Sequence, residues 1–211
     1  MNVEFLFPTP VWHDDVDLNT DALLAFSVDY MNPNKMNGGS YESCNLLASQ
    51  YRDSKCVVGS FVRQVEAKAN EAFQDFGPLN TYAEMDRFWF ISVPPGDRMA
   101  LHTHPGAVLS GVVYLQVAPL PADAGAISIR RDAATAHMYH SLGAYTSCNR
   151  GDNQITWDSV TYRAVENKMI LFPAWQPHSV TENRSDMDRI SVSFNFRVKE
   201  GVYPDTTRSW Q

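Results

Sequence analysis

Cysteine is scarce and poorly placed for cross-linking: the 211 residues contain three, Cys44, Cys56 and Cys148, and no CxxC spacing. An odd, dispersed set argues against a disulfide framework and for reduced thiols in a cytoplasmic protein. No apolar run is long enough to span a bilayer as a helix. The opening "MNVEFLFPTPVWHDD" lacks the basic-then-apolar order of a secretory signal. Basic residues never gather in a cluster of four or more, and the formal net charge is −7. Those two features argue against nucleic acid and against an anionic membrane as partners. There is also no internal repeat, low-complexity tract or Pro/Ser-rich linker.

What remains is enough for one ordinary domain. Apolar residues make up 44% and charged residues 19% of the chain, which supports a substantial core across 1–211. Residues 1–80 read as a helical N-terminal part. "TDALLAFSVDYM" (20–31) is a short helix opened by a Thr or Asp cap, and "NPNKMNGG" breaks the chain with turn formers. In "VVGSFVRQVEAKANEAFQDFG" (57–77), Val58, Phe61, Val65, Ala69, Ala72 and Phe76 recur at three- and four-residue steps. That spacing predicts an amphipathic helix, with Gly77 as its C-cap.

After Pro78 the pattern changes. "DRFWFISV", "RMALHTH", "VLSGVVYLQV", "GAISIRR", "ITWDSVTY", "KMILFP", "HSVTEN" and "RISVSFNFRV" are short, rich in β-branched and aromatic residues, and separated by turn formers. Such spacing predicts an eight-strand antiparallel roll over 85–200, with the N-terminal helices packed on it. Residues 131–155 interrupt it with a polar stretch containing His137, His140 and Cys148. A loop of that length in a compact domain is commonly functional. The apolar "VEFLF" near the start is a candidate interface strand of a homodimer.

Histidine carries the chemistry. His102 and His104 fall at the end of a predicted strand, where a side-chain period of two puts both on one face. His178 follows a proline-rich turn and opens the next strand. Three imidazoles from two strands suit a divalent metal such as iron, zinc, copper or nickel. A lone histidine beside a turn is most often a solvated residue, so the argument rests on company. Arg189 opens "RISVSFNF" and shares a strand face with Ser191. Arginine is the side chain suited to a bidentate grip on a carboxylate.

These motifs resemble those of the Fe(II)/2-oxoglutarate-dependent oxygenases, with their HxD pair, distal histidine and later RxS. The chain is similar to a prolyl-hydroxylase-like bacterial and phage branch in "FLFPTPVW", "HTHPGAVLSGVVYL" and "LFPAWQPHSVTENRSDMDRISVSFNF". The likeness runs in order along nearly the whole chain. It implies a mainly β, double-stranded β-helix (jelly-roll, cupin-like) fold and a mononuclear Fe(II) held by His102, His104 and His178. It further implies 2-oxoglutarate as co-substrate on Arg189 and Ser191, with Tyr114 either a third contact or a core aromatic, and O2 as oxidant. The products would be succinate, CO2 and a hydroxylated small-molecule or peptide substrate.

One position departs from the superfamily, because His104 stands where the triad normally has a carboxylate. Either the metal has three neutral imidazoles, or His104 stands behind a water or a distant acid. Asp97, Asp186 and Asp188 lack the expected spacing. Ser110 and Gly111 belong to a strand near the metal, with Gly111 allowing close backbone approach. Trp89 and Trp175 are candidate pocket walls, His137 and His140 candidate caps from the long loop, and His13 incidental. Two other readings use the same histidines. One is a cupin-like three-histidine dioxygenase without 2-oxoglutarate, and the other a non-catalytic metal-binding module or structural zinc site.

Overall fold

The computed structural model describes residues 8–31, 41–120, 122–131 and 158–204. Within them the chain forms β1 (Trp12–Asp15), α1 (Thr20–Val28), β2 (Tyr41–Glu42), β3 (Leu46–Leu47), a 3-10 turn (Ala48–Gln50) and α2 (Val57–Phe73). Then follow β4 (Thr81–Val93), β5 (Met99–His102), β6 (Leu109–Gln116), β7 (Ala126–Arg130) and β8 (Ser159–Arg163). The last strands are β9 (Lys168–Pro173), β10 (His178–Val180) and β11 (Arg189–Glu200). Two antiparallel sheets result. The larger is ordered β1-β9-β6-β11-β4-β2, with β3 also on β4, and the smaller is β5-β10-β7-β8. This is the jelly-roll arrangement expected of the strand-rich half.

Both faces of the larger sheet are covered, which explains why β6 and β9 read as near-continuous apolar runs, whereas β11 alternates because its second face carries Arg189, Ser191 and Ser193 into the cleft between the sheets. On one face Leu109, Val113 and Leu115 of β6 and Val192, Phe194 and Phe196 of β11 meet α1 and α2 in the main core. On the other face Val112, Tyr114, Ile170 and Phe172 pack on Ile127 and Ile129 of the smaller sheet. Gly111 is required at the crossing of these layers. A Cβ there would stand 2.5 Å from the Phe194 ring and 2.7 Å from the Ile170 carbonyl oxygen.

Helix α2 does more than cover the sheet. Strand β4 outruns its short neighbours, which pair only with residues 87–88 and 91–92, so its lower edge needs other partners. Asn70 accepts from the Ala83 N–H and donates to the Ala83 carbonyl, both at 2.8 Å. One turn earlier, Glu66 accepts from the Met85 N–H at 2.9 Å and from Arg52. Two buried polar side chains on the apolar stripe thus complete a strand edge.

Three local expectations are corrected. Asn19, not Thr20 or Asp21, caps α1, its side chain accepting from the Ala22 N–H at 3.0 Å. Helix α2 ends at Phe73 with Gln74 as C-cap, so Gly77 is not the cap. Phe76 therefore falls outside the helix, 45% exposed and stacked on Trp12. The β1–β3 strands were not foreseen, being two to four residues long. The 32–39 turn, the "VEFLF" segment, His137, His140, Cys148 and most of the 131–155 stretch lie outside the described residues. No helix among the described residues is long and apolar enough to cross a membrane.

Candidate metal and co-substrate site

The three histidines meet at the mouth of the roll. His102 and His178 are directly paired across β5 and β10, which places their side chains on one face. His104 arrives differently from the expectation. Strand β5 stops at His102, so strand periodicity does not aim His104. It sits in the following turn, whose geometry is set by its own N–H donating 2.9 Å to the Ala174 carbonyl. That bond ties the turn after β5 to the one before β10. One ring nitrogen from each of the three lies within 4.8 Å of the others, and among the described residues no carboxylate joins them.

Their hydrogen bonds define which nitrogens face inward. His102 Nδ1 stands 2.8 Å from the Ala100 carbonyl and His178 Nδ1 stands 3.0 Å from the Gln176 carbonyl. A carbonyl only accepts, so each Nδ1 carries a proton, and Nε2 is the nitrogen that offers a lone pair in the neutral ring. A backbone carbonyl on the far nitrogen is also the usual way a ligating imidazole is held. Burial pushes His104 down to about 4, with His102 adding to it. Burial likewise pushes His178 down to about 4, against the bond to Gln176 and with the other two histidines. Both are thus neutral, the form that binds metal.

The spacing agrees with a shared cation. Two nitrogens at a metal–imidazole distance of about 2.0–2.1 Å would be roughly 2.9–3.4 Å apart for angles from square to tetrahedral. His104 Nε2 and His178 Nε2 are 3.2 Å apart. That pair thus stands at the separation of two ligands on one ion, with a nitrogen of His102 in the same cluster.

Behind the histidines a narrow cleft runs to Arg189, Ser191 and Tyr114. Register shifts in the β11–β6 ladder between Ile190 and Ser191, beside this end of the cleft, where such irregularities re-aim side chains. Arg189 is 2% exposed, yet no acidic partner faces it among the described residues. Its Nε has no hydrogen-bond partner and its Nη1 donates only a long 3.4 Å bond to the Ala124 carbonyl. Burial draws the guanidinium pKa down, partly opposed by Tyr114, and burial raises the Tyr114 phenol. Gly125, at φ +80°, makes room for the arginine, because a Cβ there would stand 3.0 Å from Nη1.

Of the candidate walls, Trp89 does line the cleft, its ring 5.7 Å from that of His104. Trp175 is 60% exposed and does not. Ser110 and Gly111 also line it. His13 is on the edge strand β1, away from the lining, and Asp188 instead accepts from Ser92 Oγ at 2.8 Å. Sequence reasoning missed Glu42, Ile91, Met99 and Gly125. Glu42 sits in a two-residue strand that carries no period, while Gly125 reads simply as a turn residue.

Residues 87–195, about half of the chain, match the family described as "Putative 2OG-Fe(II) oxygenase". No curated protein matches significantly. Among solved structures, the chain is similar to a Pseudomonas putida prolyl-4-hydroxylase at 14% identity and TM-score 0.56, covering 90% of this chain and 92% of that one. A viral collagen prolyl hydroxylase from Paramecium Bursaria Chlorella virus-1, in a 2OG complex, aligns at 10% identity and TM-score 0.53, over 91% and 96%. HygX from Streptomyces hygroscopicus, with nickel and 2-oxoglutarate bound, aligns at 9% identity and TM-score 0.56, over 92% and 84%. At such identities these likenesses speak for the fold.

Proposed function

The chain belongs to the 2OG-Fe(II) oxygenase family, whose cofactors are Fe(II), 2-oxoglutarate and O2, and from that premise we propose that it hydroxylates a C–H bond of an organic substrate. The overall change is 2-oxoglutarate + O2 + R–H to succinate + CO2 + R–OH. His102, His104 and His178 hold the iron in this reading, and Arg189, Ser191 and Tyr114 hold the co-substrate. When bound, iron with O2 supplies the oxidising chemistry that couples loss of CO2 to insertion of oxygen.

The residues supply position and charge. The Nδ1–H bonds to Ala100 and Gln176 keep His102 and His178 in the tautomer whose lone pairs point inward. Arg189 supports the co-substrate assignment most strongly. A buried guanidinium lacking an acid costs several kcal/mol on the order of a desolvated ion, a cost that a bound carboxylate offsets. Ser191, 2% exposed and on the same strand face, adds a hydroxyl donor. With three neutral imidazoles the metal site is one charge more positive than a site with a carboxylate, which favours a dianionic ligand beside it. Tyr114 and Phe172 wall the cleft with apolar surface and keep water from its closed end.

A site that chelated its organic substrate directly, without 2-oxoglutarate, has no use for Arg189, and a structural zinc site has no use for the cleft. The test is succinate release on adding 2-oxoglutarate to protein loaded with Fe(II) in air, with Arg189→Ala compared. Unchanged 2-oxoglutarate affinity in Arg189→Ala would refute the co-substrate assignment.

A further inference from the structure

The cleft has two chemically unlike ends. Tyr114 pairs with Ser191, Ser191 with Ile91, and Ile91 with Glu42, across β6, β11, β4 and β2. Directly opposed residues in antiparallel strands share a face, so these four form one row along the cleft wall. Tyr114 and Ser191 are buried beside Arg189 at one end. Glu42 is exposed at the other, where the row reaches the sheet edge. It is the only carboxylate lining the cleft among the described residues, and none of them bonds to it. Ile91, directly opposite Glu42, packs with Trp89 and Met99, and the Trp89 ring lies 5.7 Å from that of His104.

We propose that this open end binds an aliphatic organic cation, its methylenes along Trp89, Ile91 and Met99 and its ammonium or guanidinium on Glu42. The inference rests on the oxygenase reading and specifies its substrate class. Three observations converge on it. The apolar strip favours a hydrocarbon stem, which presents C–H bonds toward the histidines. The lone carboxylate at the end of that strip favours a positive terminus. Arg189 repels a cation from the closed end and Glu42 repels a dianion from the open one, so the cleft sorts two substrates by charge. Trp89 Nε1 is a buried donor without a partner among the described residues. A carbonyl on the substrate satisfies it, which favours a lysyl-type side chain within a peptide over a bare amine.

The experiment uses the full chain loaded with Zn(II), a redox-silent stand-in for iron, and 2-oxoglutarate. Dissociation constants are read by ligand-observed NMR titration. The probes are N-acetyl-lysine amide, its uncharged counterpart N-acetyl-norleucine amide, and butylamine. The lysine derivative is expected to bind about three- to tenfold more tightly than the norleucine one, as a partly screened ion pair allows. Glu42→Gln should abolish that preference, and Glu42→Lys should transfer it to N-acetyl-glutamate amide, with thermal melts confirming that both variants fold. Butylamine binding as well as the lysine derivative supports a small free amine as the source of the cation; weaker binding supports a lysyl side chain. Equal affinities for the lysine and norleucine derivatives, or a preference retained in Glu42→Gln, overturn the proposal. Failure of the wild type to bind 2-oxoglutarate, measured before any amine is added, overturns the oxygenase reading and this inference with it.

Discussion

The guanidinium carbon of Arg189 lies 5.9 Å from the centroid of the Tyr114 ring, within cation–π range, while its Nε has no hydrogen-bond partner among the described residues. An aromatic face compensates only a small part of burying a cation. The arrangement is therefore under tension until an anion arrives, and that tension is measurable.

Arg189→Met should raise the stability of the ligand-free protein by about 1–4 kcal/mol, since a buried charge is replaced by apolar volume. The same change should abolish stabilisation by 2-oxoglutarate, which at a hundredfold excess over Kd is worth about 2.7 kcal/mol in the wild type. Denaturant melts with and without 2-oxoglutarate measure both effects. A variant less stable than wild type in the absence of ligand contradicts the account.

Alanine at His178 or at His104 should weaken metal binding by more than the roughly 10–100-fold that loss of an outer-shell partner costs. If His104 stood outside the metal's coordination, His104→Ala would instead stay within that milder range. Competition against a chromogenic chelator separates the two, and retention of tight binding by His104→Ala would remove it from the ligand set.

Gly111→Ala should destabilise the fold by about 1–3 kcal/mol through overpacking. The new methyl meets a backbone oxygen at 2.7 Å as well as the Phe194 ring at 2.5 Å, and backbone in a central strand cannot step aside. A urea midpoint within error of wild type would show that the sheet relaxes more easily than its packing implies.

The Tyr30 and Tyr51 hydroxyls are 3.3 Å apart. Their hydrogen bond, then burial, pushes the Tyr51 phenol up to about 12, against about 10 in an unfolded chain. The folded state thus holds this proton more tightly. Its contribution to stability is complete below about pH 10 and is lost as pH rises toward about 12. Wild type should lose stability across that window more steeply than Tyr51→Phe, which denaturation midpoints at the two ends of it will show.

Much of this was readable from residue order alone. Most strands from β4 onward announce themselves by β-branched and aromatic runs between turn formers. Helix α2 does so by a stripe from Val58 to Ala72, because side-chain direction follows backbone period within one element. The histidines and Arg189 could be singled out because each sits beside a turn at the end of such a run. Helix ends were less readable. Asn19, Thr20 and Asp21 are all good caps, and only the actual chain entry makes Asn19 the acceptor.

Glu66 and Asn70 read as polar breaks in the α2 stripe, yet they complete the edge of β4, a partnership between residues 13 to 19 positions apart. His104 reads as a strand residue aligned with His102, yet a backbone bond from its turn to Ala174 brings it to the cluster. Glu42 has no pattern around it at all and acquires meaning only through the row it completes. Sequence by itself determined the chemical inventory and the regular elements, since both depend on residue type and local period. Tertiary structure alone decided that Arg189 meets no acid among the described residues, that three imidazoles converge, and that Glu42 and Arg189 stand at opposite ends of one cleft. Those are relations between distant segments, set by strand pairing and layer packing rather than by any local preference.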